Sequence, residues 1–170
     1  MNTASRLLCV LSLAALAGAC QPPKPIATTP NANQAVARSA DLEVTMTLPK
    51  RTFQVGEPFS VAIAVQNLTT HPIRIQADSR DLVQARLFEK TLLGWERLKE
   101  YPRASTTLLT DWTLPAGQSR TFQLNLVVEP DWPAAAPVRL AGVVNGRGDV
   151  SPFVVIQVAP RSEPQRAAAQ

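Results

Sequence analysis

The chain has 170 residues, a formal net charge of +4, one histidine and two cysteines. Its lysines and arginines are spread along the length with no basic run, which excludes the clustered patch that nucleic-acid binding requires. Residues 41–159 suffice for one domain and leave no room for two, since domains cluster at about 100–150 residues.

Residues 1–6 carry a single charge, Arg6. Residues 7–16 are mostly apolar, and Ala17, Gly18 and Ala19 are small. That order is a secretory signal peptide. The stretch 7–20 is too short to span a bilayer, which takes roughly 20 apolar residues. Cys20, directly after the small residues, resembles the lipobox cysteine of bacterial lipoproteins. The resemblance implies a signal peptide over 1–19, cleavage before Cys20, and acyl chains on that cysteine. Ala17 stands where the class usually has leucine, so an ordinary secreted protein cleaved after Ala19 is the alternative. Gln21, rather than the aspartate that holds many such lipoproteins at the inner membrane, implies the outer membrane, with the domain facing the periplasm. Cys9 leaves with the leader. The mature chain then has one cysteine, so no intramolecular disulfide forms and the domain must stand on its apolar core.

Residues 21–40 are rich in Pro, Ala, Thr, Asn and Gln. Such a segment buries too little surface to offset its ordering entropy, so 20–40 reads as the lipidated cysteine and a disordered tether. Residues 160–170 read as a disordered tail on the same grounds.

Between them the period is two. Leu42, Val44, Met46 and Leu48 alternate with Glu43, Thr45 and Thr47. Phe59, Val61, Ile63 and Val65 follow, then Ile73 and Ile75, and later Phe122, Leu124, Leu126 and Val128. Alternation of this kind puts one face in a core and one in water. Residues 138–144 and 153–158 are more uniformly apolar, as central strands are. Turn chemistry fills the gaps: Val55-Gly56-Glu57-Pro58, Thr70-His71-Pro72, Pro115-Ala116-Gly117 and Asn145-Gly146. The expected fold is all-β, a single β-sandwich of about seven to nine strands over 41–159.

The middle admits two readings. Ala85, Phe88, Leu92 and Trp95 have helical spacing, but Gly94 costs a helix about 1 kcal/mol. Strands over 82–89 and 95–99, joined by a turn through 90–94, are favoured.

Phe53-Gln54-Val55-Gly56-Glu57-Pro58-Phe59, followed by Val61, Ile63, Val65 and Asn67, resembles the opening strands of bacterial immunoglobulin-like domains. Leu114-Pro115-Ala116-Gly117 leading to Phe122 is similar to a later strand start of those domains. With Leu82 to Phe88 and Gly94-Trp95 between, the order resembles the BsuPI-type proteinase-inhibitor domain over roughly residues 52–144. The resemblance implies an immunoglobulin-like fold and, as one alternative function, proteinase inhibition. It carries over no inhibitory residue.

Catalytic chemistry is thinly represented. His71 is the only histidine and sits in a turn without a cysteine partner in the domain, so no typical zinc site forms around it. No Gly-x-Ser-x-Gly elbow accompanies it. The carboxylates are scattered, and a hydrolase using a pair of them is a second alternative. Arg147-Gly148-Asp149 matches an integrin-type tripeptide but reads as ordinary hairpin-turn residues; Asn67-Leu68-Thr69 matches a glycosylation sequon, which a bacterial export route makes irrelevant. No metal or cofactor is expected.

The tryptophans carry more weight. Trp95 beside Leu98 fits a sandwich core, whereas Trp112 and Trp132 lie in turn-like contexts, where an indole either packs under its loop, the commoner fate, or anchors a partner. Residues 82–101 also mix apolar and charged side chains, as interface centres do. The sequence-level expectation is a lipid-anchored, non-enzymatic accessory module of the bacterial envelope. An envelope protein partner would dock on Leu93, Trp95, Arg97, Trp112 or Trp132. Its oligomeric state is left open.

Overall fold

The structure is a computed structural model describing residues 33–103, 109–134 and 136–160. The expected leader, Cys20 and, but for Pro160, the expected tail lie outside the described residues. Every regular element described is a strand: β1 (Gln34–Arg38), β2 (Leu42–Thr47), β3 (Thr52–Gln54), β4 (Pro58–Asn67), β5 (Ile73–Ala77), β6 (Val83–Thr91), β7 (Gly94–Tyr101), β8 (Thr110–Leu114), β9 (Ser119–Val127), β10 (Pro137–Val144) and β11 (Phe153–Ala159). The described residues thus hold eleven strands, against the seven to nine expected. The excess comes from β1, β3 and β8, short strands that the alternating runs do not include. β1 and β3 are edge strands of five and three residues, and β5 and β8 form a separate pair.

One sheet has the order β1-β2-β4-β9 and another β3-β11-β10-β6-β7. β1 corrects the expected boundary of the domain. It pairs antiparallel with β2, from Gln34 opposite Thr47 to Arg38 opposite Glu43, inside the stretch assigned to the tether. Its residues are small and polar, but β2 offers a free edge whose backbone groups take up the extra strand.

The two sheets face each other. Phe59, Val61, Ile63 and Val65 on β4 and Leu42, Val44 and Met46 on β2 are buried. They meet Val138, Leu140 and Val144 of β10 and Ala85 and Leu87 of β6 in one cluster. Gly142 on β10 sits so close to the opposite sheet that a Cβ there would lie 3.3 Å from Ile63 Cδ1 and Met46 Sδ. Phe122 and Leu124, expected in the core, are half-buried. β9 is the edge of its sheet, so core residues cover them from one side only.

The 82–101 segment is a hairpin, as favoured from Gly94. β6 and β7 pair from Ala85 opposite Tyr101 to Thr91 opposite Gly94, with a bulge beside Leu87 and Phe88. Gly94 has φ of 133°, a backbone state that side chains resist. At the β10–β11 turn Gly146, with φ of 81°, presses on β5: a Cβ there would lie 2.0 Å from the Gln76 carbonyl oxygen.

Candidate docking face

The register places the side chains of the β6–β7 hairpin. Directly opposed residues of neighbouring strands share a face. Trp95 opposes Lys90, Arg97 opposes Phe88, and Glu100 opposes Arg86. On the next strand Arg139 opposes Phe88 on one side and Val155 on the other, and Ala141 opposes Phe153. Leu87, Ala85, Leu140 and Ile156 fill the core from the opposite side of these strands, so all the former residues lie on the outer face of the five-stranded sheet.

Arg139 is the centre of that face. Its guanidinium carbon is 3.3 Å from the Phe153 ring centroid and 5.9 Å from that of Trp95, a stacked cation–π arrangement. Its Nε is buried without a hydrogen-bond partner among the described residues. Around it Trp95, Leu98, Phe153 and Val155 remain solvent-exposed. Glu100 is shared between Arg86, at 3.7 Å, and Arg97, at 3.5 Å. The face therefore carries Arg86, Lys90, Arg97 and Arg139 against the single carboxylate Glu100.

The hairpin tip adds an apolar point to this cationic face. Leu92 and Leu93 are 106% and 101% exposed. Thr91 Oγ1 accepts a hydrogen bond from the Leu93 amide at 3.3 Å and donates to the Gly94 carbonyl at 3.2 Å. These bonds close the turn without any use of the leucine side chains.

Of the residues singled out from sequence, Leu93, Trp95 and Arg97 come together here. Trp95 is corrected: it is 37% exposed on the outer face, not in the core, because β7 is an edge strand and its pairing with Lys90 turns the indole outward. Trp132 and Trp112, also candidates for anchoring a partner, instead take the commoner course and pack inward. Trp132 is 2% exposed, edge-on to Phe59 with centroids 6.1 Å apart, and its indole N–H donates to Tyr101 Oη at 2.9 Å. The Glu129–Trp132 turn, closed by a 3.1 Å backbone bond, folds the ring under the loop. Trp112 is 7% exposed and edge-on to Phe122. Neither presents its ring to a partner. Cys20 lies outside the described residues. Arg139 and Phe153 were missed, since a lone arginine in the apolar run 138–144 reads as noise until the neighbouring strands are known.

A second polar cluster is an ion-pair knot. Lys99 Nζ lies 2.5 Å from both Glu129 and Asp131, Arg103 reaches Glu129 at 2.9 Å, and Tyr101 Oη donates to Glu129 at 3.1 Å. The Lys99 ammonium holds both carboxyls below their usual range. Asp131 and then Glu129 raise the Lys99 pKa, and burial raises that of Tyr101. Carboxylates stabilised in their ionised form make poor proton donors near neutrality. The knot ties β7 to the β9–β10 loop.

The two short motifs are used internally. Arg147 binds Asp41 through two nitrogens, at 2.6 and 2.7 Å, and that hydrogen-bonded pairing holds the Asp41 carboxyl far below its ordinary pKa. Asn67 is buried, and its side-chain amide donates to the carbonyls of His71, Leu114 and Pro115. This hub pins the end of β4 to the β5–β8 pair and leaves no amide for a glycan. His71 is an exposed turn residue. Among the described residues no three His, Cys, Asp or Glu side chains converge on a metal-sized site.

No family model matches this chain, and no characterised protein sequence matches it. Solved structures give distant likenesses. The sporulation control protein Spo0M from Bacillus subtilis has a TM-score of 0.48 and 15% identity over 72% of this chain and 51% of its own. A β-glucosidase from Listeria innocua in complex with isofagomine has a TM-score of 0.45 and 15% identity, over 72% of this chain and 17% of its own. The alkylpurine DNA glycosylase AlkC from Pseudomonas fluorescens has a TM-score of 0.45 and 13% identity, over 70% of this chain and 31% of its own. The chain spans about half the length of Spo0M. At such scores these likenesses carry no functional argument.

Proposed function

We propose that this chain is a lipid-anchored envelope module with an immunoglobulin-like β-sandwich. Acyl chains on Cys20 hold it at the outer membrane, and the domain faces the periplasm. Its role is non-enzymatic: the outer face of the five-stranded sheet and the β6–β7 tip dock an envelope component. One observation carries this reading. Leu92 and Leu93 are fully exposed and adjoin the Trp95–Arg139–Phe153 platform, a combination that folding alone does not require and that interfaces favour.

Two measurements test it. Cys20→Ala should release the chain from the membrane fraction or leave its leader uncleaved; unchanged fractionation and migration would refute the anchor. A photo-crosslinking residue at position 93 should form adducts in cells, while one at position 121, exposed on the other sheet, should not. Equal yields from both positions would remove the docking face.

A further inference from the structure

We infer that the component docked by this face is an anionic lipid surface, with Leu92 and Leu93 entering the acyl boundary and the outer-face cations lying on the headgroups. The inference rests on the anchored reading above and adds to it a second, side-chain contact with the bilayer.

The tip argues for lipid first. A two-residue hairpin turn normally takes Asn, Asp or Gly, which tolerate its backbone geometry. Here both positions are leucine, fully exposed and outside the core cluster. Neither the turn nor the core explains them, whereas an apolar medium beyond the tip does. Trp95 follows after Gly94, partly exposed on the outer face, and an indole next to an apolar tip suits a membrane interface.

Charge complementarity argues second. Arg86, Lys90, Arg97 and Arg139 share the outer face with the lone Glu100. The nearby acids Glu89 and Glu96 oppose each other on the other side of the hairpin. A sheet lying outer face down therefore brings cations to the headgroups and keeps that acidic pair away. Phosphate oxygens also suit Arg139, whose guanidinium is already stacked on Phe153.

Reach argues third. β1 begins at Gln34, and a coil from Cys20 to that point spans about 20 Å. The proposed anchor thus keeps the whole domain close to one bilayer. Tethering converts a weak contact into an intramolecular one, and a single weak signal becomes stable attachment when a second joins it.

The experiment uses the full chain extracted from the envelope and reconstituted into vesicles of brominated phosphatidylcholine, with or without phosphatidylglycerol. The readout is tryptophan quenching by the brominated chains. A Trp95→Phe chain supplies the background from buried Trp112 and Trp132. Trp95 emission should fall by roughly half or more in the anionic vesicles, and less in high salt or without phosphatidylglycerol. The Leu92→Asp/Leu93→Asp chain should lose this quenching while melting like wild type. Unquenched Trp95 in anionic vesicles that retain the chain overturns the inference and leaves the face to an acidic protein. If wild type fails to stay with vesicles, as Cys20→Ser should, the anchor reading falls instead. Trp95 quenching of the chain mixed with vesicles then still decides the lipid contact.

Discussion

Replacing Gly142 by alanine puts one methyl group between the two sheets, 3.3 Å from Ile63 Cδ1 and Met46 Sδ. Two effects oppose each other. Alanine restricts the unfolded chain and contributes about 0.4–1 kcal/mol where the backbone accepts it, and Gly142 has no positive φ. Overpacking a close-packed interior costs about 1–3 kcal/mol. The flexible Met46 thioether yields easily, the β-branched Ile63 less so, and a net loss of about 1 kcal/mol is expected. Ile63→Val removes the very Cδ1 in the way and by itself costs about 0.5–1.5 kcal/mol. In that background Gly142→Ala should become neutral or stabilising. The double-mutant cycle should then show coupling of about 1 kcal/mol, well beyond the 0.3–0.5 kcal/mol scatter of independent sites. Urea unfolding followed by the emission of Trp112 and Trp132 reads all four proteins. At an m-value of about 2 kcal/mol/M, each kcal/mol moves the midpoint by about 0.5 M. Additivity of the two single effects would refute direct packing of β10 on β4.

The Lys99 knot makes stability depend on pH at both ends. Glu129 and Asp131 have lowered folded pKa values, so their contribution is present above about pH 4 and is lost as pH falls through the folded values. Lys99 has a raised one, so its contribution is present below about pH 10 and is lost as pH rises through the folded value. Chemical denaturation should therefore show the wild-type advantage over Lys99→Met constant near neutrality and shrinking in acid and in strong base; a difference flat down to about pH 2 contradicts the knot. Gly146→Ala combines a left-handed backbone, costing about 1–2 kcal/mol, with a Cβ 2.0 Å from the Gln76 carbonyl oxygen. It should lower the thermal midpoint sharply, while Gly148→Ala, with open space around it, should shift stability by under about 0.5 kcal/mol. Equal effects would separate the β10–β11 turn from β5.

The all-β class and most strands were legible in the sequence because alternation reports which side of a strand meets the core. Leu42, Val44 and Met46, and Phe59 to Val65, lie where their period places them. The β6–β7 hairpin was legible through Gly94, whose φ a helix does not use. Alternation is blind to which strands become neighbours, and the rest depended on that. β1 joins a sheet by borrowing the free edge of β2, an opportunity absent from its own small, polar residues. Trp95 leaves its expected place in the core because sheet order makes β7 an edge, and only the fold decides that a turn tucks Trp132 between Phe59 and Tyr101. The docking face is the clearest case. Leu93, Trp95 and Arg97 stand close in sequence, but Arg139 and Phe153 reach them only through the pairings β6–β10 and β10–β11. A face built across four strands is a property of register, and register is set by long-range backbone pairing rather than by any local run of residues.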